Sequence, residues 1–164
     1  MEILTDNEIR DLLEMEKISL RKIDTNNLRL GPLGQKRATF DVQGIDGSRF
    51  KVKIRQSSKN LFDFSVILSY YIPETNRFYN LRRYNGSSHR HTNKIEGNVI
   101  EYKFHTHVAT ERYLRRGFRI EGYATETDRY HTIEECLIVF LKDCKIIQGS
   151  SFPTRLVEFG QNGR

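Results

Sequence analysis

The apolar positions near the start of the chain recur at helical spacing. Ile9, Leu12 and Leu13 stand three and four residues apart, as on one face of an α-helix. Ahead of them, Thr5 and Glu8 form the T-x-x-E pattern of a capping box, in which each side chain accepts from a backbone N–H group of the other residue. The pattern therefore predicts an N-terminal helix that begins after Thr5.

A second helix is predicted near residue 133. Thr132 and Glu135 repeat the T-x-x-E pattern. An apolar stripe at helical spacing follows and comprises Ile133, Cys136, Leu137, Phe140, Leu141 and Cys144. The two cysteines of the chain lie on this stripe, so we expect them to be small buried apolar side chains rather than catalysts.

Between the two helices, apolar and polar residues alternate with the period of two that is typical of β-strands. Five such segments follow one another: 38–43, 48–54, 61–71, 76–84 and 99–108. The first two flank the turn sequence GIDG, which predicts a β-hairpin. Short links between successive strands predict an antiparallel meander.

These elements predict an α+β fold: an N-terminal helix, an antiparallel meander of about five strands, and a C-terminal helix packed on one sheet face. Residues 109–131 show no clean period, and we expect a short helical turn and a loop there. The opposite sheet face is expected to be open and to bind the ligand. A single domain is predicted over residues 1–148, followed by a tail at 149–164 that is frayed or forms an edge strand.

Composition supports a folded, single-domain protein. A chain of 164 residues can bury a sizeable core, and its 8 Tyr and 10 Phe argue against disorder. No apolar run approaches the roughly 20 residues of a membrane span, and the first residues lack the features of a signal peptide. The two cysteines have neither a disulfide nor a zinc-binding spacing. We therefore expect a cytoplasmic protein with reduced thiols and no membrane partner.

The positive charge is concentrated in one part of the chain. The net charge is +6, and residues 77–119 hold ten Lys and Arg against three acids, Glu96, Glu101 and Glu111. A local positive field favours phosphate-bearing or acidic partners, and RNA or another nucleic acid is the expected partner. A solvated basic surface without a ligand is the alternative explanation.

The same segment contains four of the five histidines, as two His-x-His pairs. Strand alternation over 99–108 assigns His105 and His107 to the sheet face opposite Tyr102 and Phe104. The face with Tyr102 and Phe104 is the apolar one, so we expect the two histidines on the open face. A hairpin between the pairs would bring His89 and His91 within several ångströms of them.

A metal site is the first interpretation of this pattern. His-x-His on a strand projects both imidazoles from one face, which is good chelating geometry for His89, His91, His105 and His107. His89, His91 and Glu96 also match the H-x-H-x4-E spacing of the first cupin motif, but the second cupin motif is absent. Glu96, Glu101 or Glu111 would supply the carboxylate of a facial triad.

Metal-free cleavage of RNA is the second interpretation and the one that we favour. Histidine serves as base or acid near neutral pH, and Arg or Lys stabilises the charge of the phosphorane. In this mechanism, which needs no cofactor, His105 and His107 act as base and acid in either order, and His89 and His91 assist. Arg82, Arg83 and Arg112 are expected to hold phosphate. Tyr84, Tyr113 or Tyr130 is expected to stack on a base. The general plan is similar to that of small bacterial ribonuclease toxins of toxin–antitoxin or phage-defence type, which are held by a protein antidote.

Two further interpretations stay open. In the first, the protein is a non-catalytic phage or mobile-element inhibitor that binds a nucleic acid or a nucleoprotein complex. In the second, the histidines form hydrogen bonds only and have no chemical role. The polar cluster TDRYHT at residues 127–132 also has two explanations. Arg129, Tyr130 and His131 precede a predicted helix N-terminus and so suit a phosphate, whereas Thr127 and Asp128 would serve as helix caps.

Several blocks resemble the recurring motifs of a small bacterial domain family of unknown function that occurs in chromosomes and mobile elements. The blocks are RYNGSSHRHTNKIEGN, FHTHVATERYLRRGFR, GYATETDRYHT and FLKDCKI. The resemblance covers roughly residues 38–147. It implies that the His-x-His, ATERY and TDRY blocks belong together and that the source is bacterial or phage, and it implies no activity.

Overall fold

The computed structural model describes residues 3–148. The predicted tail at 149–164 lies outside the described residues. Three α-helices are formed within this range: α1 (Asp6–Glu14), α2 (Glu111–Arg115) and α3 (Ile133–Asp143). The first five strands are β1 (Lys17–Ser19), β2 (Arg29–Leu30), β3 (Gln35–Gly44), β4 (Arg49–Ser57) and β5 (Phe64–Tyr71). The remaining strands are β6 (Phe78–Asn85), β7 (Arg90–Thr92), β8 (Val99–Glu101), β9 (His105–Val108), β10 (Tyr123–Glu126) and β11 (Ile146–Gln148).

The strands form one large and one small sheet. The large sheet has the order β10-β9-β6-β5-β4-β3-β1-β11, with β2 paired to β3, and the small sheet pairs β7 with β8. Neighbouring strands run antiparallel except β1 and β11. The predicted α+β class and the hairpin around GIDG, now β3 and β4, are confirmed. The predicted number of about five strands is wrong, because the segment 99–108 forms two strands and five further strands of two to four residues lie outside the predicted segments: β1, β2, β7, β10 and β11.

The single strand predicted over 99–108 is also wrong. Tyr102 has a φ of 53°, in the left-handed region, and this breaks the extended chain. The residues before it form β8 in the small sheet, and the residues after it form β9 in the large sheet. Tyr102 itself is 61 % exposed instead of lying on the core face.

The helix starts follow the sequence signals. At α1 both halves of the predicted capping box are present, between Thr5 and Glu8. At α3 the Thr132 hydroxyl accepts from the N–H group of Glu135, but the Glu135 carboxylate accepts from the N–H group of His131 instead of Thr132. The second predicted box is therefore half formed, and the acid caps the preceding residue.

The hydrophobic core is formed by one face of the large sheet and the helices that contact it. Phe40, Val52 and Leu68 are cross-strand neighbours on that face, and all three are buried in one cluster with apolar residues of α1 and α3. Tyr84 of β6 contacts Phe140 of α3, with ring centroids 5.3 Å apart. The predicted burial of the cysteines is confirmed, because both are buried free thiols. None of the helices among residues 3–148 has the length and apolar character needed to cross a membrane.

The opposite face of the large sheet is polar. Strand register aligns Ser65, Asn85 and His105 in one row across β5, β6 and β9. His107 pairs with Arg83 in the neighbouring row. Both histidines thus lie on the face opposite the core, as a period of two predicts. That face is not open at this point, because the small sheet covers it, and His105 and His107 are only 0 % and 6 % exposed.

Candidate active site

Four imidazole rings meet between the two sheets. The ring of His105 lies 4.9 Å from that of His89, 5.7 Å from that of His91 and 5.2 Å from that of His107, measured between centroids. The rings of His91 and His107 are 4.6 Å apart. The link that carries β7 and β8 therefore brings both His-x-His pairs into one cluster, with His105 at its centre.

His105 has both ring nitrogens occupied. Its Nδ1 donates to the carbonyl oxygen of Lys103 at 2.7 Å, and its Nε2 accepts from the Asn85 amide at 3.2 Å. The Oδ1 atom of Asn85 accepts from the Ser65 hydroxyl at 2.9 Å, which fixes the orientation of that amide. Burial lowers the pKa of His105 to about 4. Burial therefore favours the neutral imidazole, and both of its nitrogens are engaged within the protein.

His107 is held by one ring nitrogen. Its Nδ1 donates to the carbonyl oxygen of Glu121 at 2.7 Å, so Nε2 is the unprotonated nitrogen of the neutral ring. Burial, reinforced by the neighbouring His91 and His105, lowers the pKa of His107 to about 2. His107 also lines a cleft, and the ring thus presents an acceptor nitrogen at the edge of that cleft.

The small sheet is fixed over the histidines by His91 and Asn93. The Nε2 atom of His91 donates to the carbonyl oxygen of Gly122 at 2.9 Å and lies 3.0 Å from Asn93 Oδ1. The buried Asn93 side chain both accepts from and donates to the backbone of Ala124 in β10, each at 2.8 Å. These bonds tie β7 to the edge of the large sheet and give Asn93 a structural role.

His89 is the least constrained of the four. Its ring contacts that of His105, and it makes no hydrogen bond to any residue in the described range. Partial burial lowers its pKa, the Asp63 carboxylate raises it, and the positive charges of Arg55 and Arg83 lower it further. Both of its ring nitrogens remain available to a ligand.

The cleft beside the cluster has a volume of about 480 Å³. His89, His91 and His107 all line it. Cationic side chains dominate the rest of its polar wall: Arg55, Arg83, Arg90, Lys94 and Arg119. Among the described residues that line it, Glu121 is the one carboxylate. The cleft therefore carries an excess of positive charge beside three imidazoles.

Glu121 is the anchor of the cationic wall. Its side chain is 4 % exposed and pairs with Arg83 at 3.2 Å and with Arg119 at 3.4 Å. The Asn80 amide donates to it at 2.8 Å. Burial raises the pKa of this carboxyl, but the Asn80 bond and the two arginines outweigh burial, and the net pKa lies below its usual value. Arg83 is only partly satisfied in return, because its buried Nε has no hydrogen-bond partner among the described residues.

Three of the predicted phosphate-binding or stacking residues lie on the other side of the sheet. Arg82 and Arg129 both pair with Asp143 near the end of α3, at 3.7 Å and 2.7 Å. The Tyr84 hydroxyl donates to the same carboxylate, and its ring is buried in the core. The structure does not bring these residues to the cleft.

The remaining members of the TDRYHT block have structural contacts. Tyr130 is fully buried, and its hydroxyl lies 2.8 Å from the carbonyl oxygen of Asn85 and 3.2 Å from that of His105. It therefore supports the strands that carry the histidine cluster. The ring of His131 is exposed and packs edge-on against Phe104 at 5.5 Å.

The ATERY block contributes one residue to the cleft. Tyr113 lines the cleft, and its hydroxyl donates to Glu96 at 2.5 Å. Arg112 pairs with the same carboxylate at 2.5 Å, and its guanidinium lies over the Tyr113 ring at 5.3 Å. Of the residues predicted from sequence, the cleft therefore receives His89, His91, His107, Arg83 and Tyr113.

Several residues of the site were not predicted. Arg55 stands at an alternating basic position of β4, and Lys94 and Arg119 belong to the basic segment, so charge patterning pointed towards all three. Glu121 and Asn85 carried no such signal. Their roles arise from partners that are distant in sequence, Arg83 for Glu121 and His105 for Asn85.

The donor groups do not fit the metal interpretation. No group of three or more His, Cys, Asp or Glu within residues 3–148 is arranged to hold a metal ion. His105, at the centre of the cluster, has both ring nitrogens engaged by protein partners and so has none left for a metal ion. The proposed triad carboxylates are each paired with arginine: Glu96 with Arg112, Glu101 with Arg90 and Glu111 with Arg115.

Comparison with known proteins identifies a family for the chain and no characterised relative. No curated protein matches it, and no solved structure matches it. The model of a family of unknown function, DUF6978, matches residues 4–146, which include every residue of the cleft and of the histidine cluster. The match confirms the predicted resemblance to a small domain family of unknown function. The chain belongs to the family of unknown function DUF6978.

Proposed function

We propose that the protein binds RNA in the histidine-lined cleft and cleaves it without a metal ion. One observation carries the proposal: His89 and His107, each with a ring nitrogen free for a ligand, line the same cationic cleft of about 480 Å³. A base, an acid and a positively charged wall are the groups that attack by the ribose 2′-hydroxyl requires.

The cationic wall is suited to a phosphate. The Arg83 side chain lines the cleft and is 20 % exposed, so its guanidinium can donate to a phosphate oxygen as well as to Glu121. Lys94 lies 5.4 Å from the centroid of Phe118 and forms no ion pair with any described residue. Its ammonium group is therefore free to pair with an anion in the cleft.

In the proposed reaction, the Nε2 atom of His107 accepts the proton of the 2′-hydroxyl. The 2′-oxygen attacks the adjacent phosphorus, and the bond from phosphorus to the 5′-oxygen breaks. Protonated His89 gives its proton to that leaving oxygen, so the products are a 2′,3′-cyclic phosphate and a 5′-hydroxyl. His105, expected from sequence to be a base or acid, becomes a positioning residue because both of its nitrogens are occupied.

Substrate binding adjusts the protonation of the two imidazoles. The pKa values of His89 and His107 lie below the usual value for histidine. A bound phosphate places a negative charge beside both rings, which raises both pKa values towards neutrality. His89 then takes up a proton, and His107 becomes a stronger base.

The test is incubation of the purified protein with end-labelled single-stranded RNA, with and without EDTA. We expect cleavage that EDTA does not change, products that end in a cyclic phosphate, and no cleavage of RNA with 2′-O-methyl groups. Elemental analysis of the same preparation measures bound metal. Cleavage that EDTA abolishes, together with stoichiometric metal, would contradict the proposal.

Binding without cleavage is a second candidate function. Its supporting observation is the low pKa of His105 and His107, about 4 and about 2, which is typical of imidazoles that serve as neutral hydrogen-bonding groups. The protein would then occlude a nucleic acid or a nucleoprotein complex, as a phage or mobile-element inhibitor does. Tight, salt-sensitive binding of RNA with no cleavage in the same assay would favour this candidate.

A further inference from the structure

A second cleft lies beside the first on the polar sheet face. Its volume is about 320 Å³, and it shares Arg55 and Arg83 with the histidine-lined cleft. Arg37 and Lys53 add two further cations to its wall. The described residues that line it include no carboxylate. The two clefts are therefore adjacent parts of one positively charged surface.

Strand register explains why these cations are neighbours. Arg37 of β3 is the direct partner of Arg55 of β4. In the next row, Lys53 of β4 pairs with Ile67 of β5, which in turn pairs with Arg83 of β6. Side chains of directly paired residues share a face, about 5 Å apart from one strand to the next. The cations thus form a path across four strands that ends at the histidine cluster.

Aromatic side chains lie at the other end of the path, away from the histidine cluster. Phe78 lines the second cleft and is 43 % exposed. Its ring lies 5.2 Å from that of Tyr71, and the Lys53 ammonium lies 3.7 Å from its centroid. A positively charged groove with aromatic rings along it is the usual construction of surfaces that bind single-stranded nucleic acid.

Two of the four cations on this path have a carboxylate partner, because Arg55 pairs with Asp63 at 2.9 Å and Arg83 with Glu121 at 3.2 Å, whereas Arg37 forms no ion pair with any of the described residues. Lys53 forms no ion pair with any of them, and its position between Lys51 and Arg83 places three cations close together. Burial is the main cause of its lowered pKa, and the charges of Lys51 and Arg83 add to the effect. An anionic ligand along the path would relieve this repulsion.

We propose that the two clefts form one binding track for single-stranded RNA, with a backbone phosphate at Arg55 and Arg83, the next at Lys53 and Arg37, and a base stacked on Phe78. The inference rests on the proposed function for the placement of the scissile phosphate in the histidine-lined cleft. Duplex RNA does not fit this track, because its bases are already stacked on each other and cannot reach the Phe78 ring.

The test measures binding of a 2′-O-methyl single-stranded oligonucleotide, which cannot be cleaved, so that the result does not depend on catalysis. We expect Phe78→Ala to weaken binding about tenfold, which is the range found for loss of one stacked base. Lys53→Ala should reduce the slope of log K against log salt by about 0.7, as loss of one phosphate contact predicts. Lys142→Ala, which removes an exposed charge on α3, is the matched control and should change neither quantity.

The outcomes separate the track from the catalytic proposal. Unchanged affinity of Phe78→Ala and Lys53→Ala, or equal affinity of the wild type for single-stranded and duplex RNA, would overturn the track even where the wild type cleaves RNA. Weakened binding in both variants supports the track even where no cleavage is found. Thermal melting checks that each variant is folded, and Phe78→Leu, which keeps the apolar contact but removes the ring, gives the same readout if Phe78→Ala unfolds.

Discussion

His107 donates from Nδ1 to the backbone carbonyl oxygen of Glu121, across 2.7 Å. A carbonyl oxygen accepts only, so this bond fixes the tautomer of the neutral imidazole and leaves Nε2 as an acceptor. The same residue, Glu121, uses its carboxylate to hold Arg83 at 3.2 Å. One loop residue thus orients both the proposed base and the arginine that would bind the phosphate.

The first prediction concerns that base. His107→Ala removes the proton acceptor, and we expect the rate of RNA cleavage to fall about 10²–10⁴-fold, the usual contribution of general acid–base catalysis. Binding of an uncleavable 2′-O-methyl RNA should fall by less than about threefold, because the arginines of the cleft remain. Single-turnover cleavage and equilibrium binding measure the two effects, and Lys142→Ala is the control. A His107→Ala protein that cleaves within twofold of the wild-type rate would exclude His107 as the base.

The second prediction concerns stability and pH. The pKa of His105 in the folded protein is about 4 and that of His107 about 2, both below the ordinary value near 6.5. At pH values between the folded-state pKa and 6.5, the unfolded chain binds more protons than the folded one. The free energy of unfolding therefore decreases as pH falls below 6.5. From pH 7 to pH 5, each histidine should lower the free energy of unfolding by about 2 kcal/mol.

Urea unfolding at pH 7 and pH 5 measures this loss. His107→Gln should lose about 2 kcal/mol less than the wild type over the same interval, because one of the two proton-binding sites is gone. His131→Gln is the matched control, since this imidazole is exposed on the surface. An equal loss in the wild type and His107→Gln would show that the His107 ring is not buried as a neutral group.

Local pattern predicted those parts of the fold whose cause is local. The capping residue Thr5 and the apolar stripe of α3 depend on neighbours within a few residues, and both are observed in the structure. The strand predicted over 99–108 is interrupted at Tyr102, whose positive φ lies between a strand of the small sheet and a strand of the large sheet. Alternation of apolar and polar residues gives no signal for such a break.

The candidate site likewise contains features that local sequence predicts and features that depend on distant residues. The four histidines could be grouped from sequence, because strand alternation and one hairpin link are enough to bring them together. Their burial could not be predicted, since it depends on the bond of Asn93 to Ala124, 31 residues away in sequence. Tyr84 and Tyr130, two of the three tyrosines considered for stacking on a base, are buried against each other instead, with ring centroids 6.0 Å apart.

The third prediction concerns Glu121. Glu121→Gln leaves the guanidinium of Arg83 without its carboxylate. Because the Arg83 side chain is 20 % exposed, we expect a loss of about 2–3 kcal/mol in the free energy of unfolding, less than for a fully buried pair. Inorganic phosphate should raise the melting temperature of this variant more than that of the wild type, because an anion in the cleft replaces the lost charge.

Glu101→Gln is the matched control for that measurement. Glu101 pairs with Arg90 at 3.0 Å, but both side chains are well exposed. Such pairs contribute little, so its stability should change by less than about 1 kcal/mol. A Glu121→Gln variant that is as stable as Glu101→Gln, or that gains no additional stability from phosphate, would contradict the assigned role of Glu121.

The fourth prediction concerns Gly86, which follows Asn85 in the RYNG block. A Cβ atom at this position would lie 1.9 Å from the carbonyl oxygen of Phe62 and 2.8 Å from its carbonyl carbon. Both atoms are backbone, so no side-chain rotation relieves the clash, and the 3.0 Å bond from the Gly86 N–H group to the Phe64 carbonyl resists displacement. We expect Gly86→Ala to lower the free energy of unfolding by about 2–3 kcal/mol or more.

The same displacement would move Asn85, whose amide donates to His105, so RNA cleavage by Gly86→Ala should fall even at temperatures where the variant is folded. Gly31→Ala is the control, because a Cβ atom there meets only an ordinary contact, 3.4 Å from the carbonyl oxygen of Gln35. Urea unfolding and cleavage assays on both variants give the comparison. If Gly86→Ala matched Gly31→Ala in stability and activity, the backbone at Gly86 would have room to move without disturbing the histidine cluster, and the close approach of Phe62 would not explain the glycine.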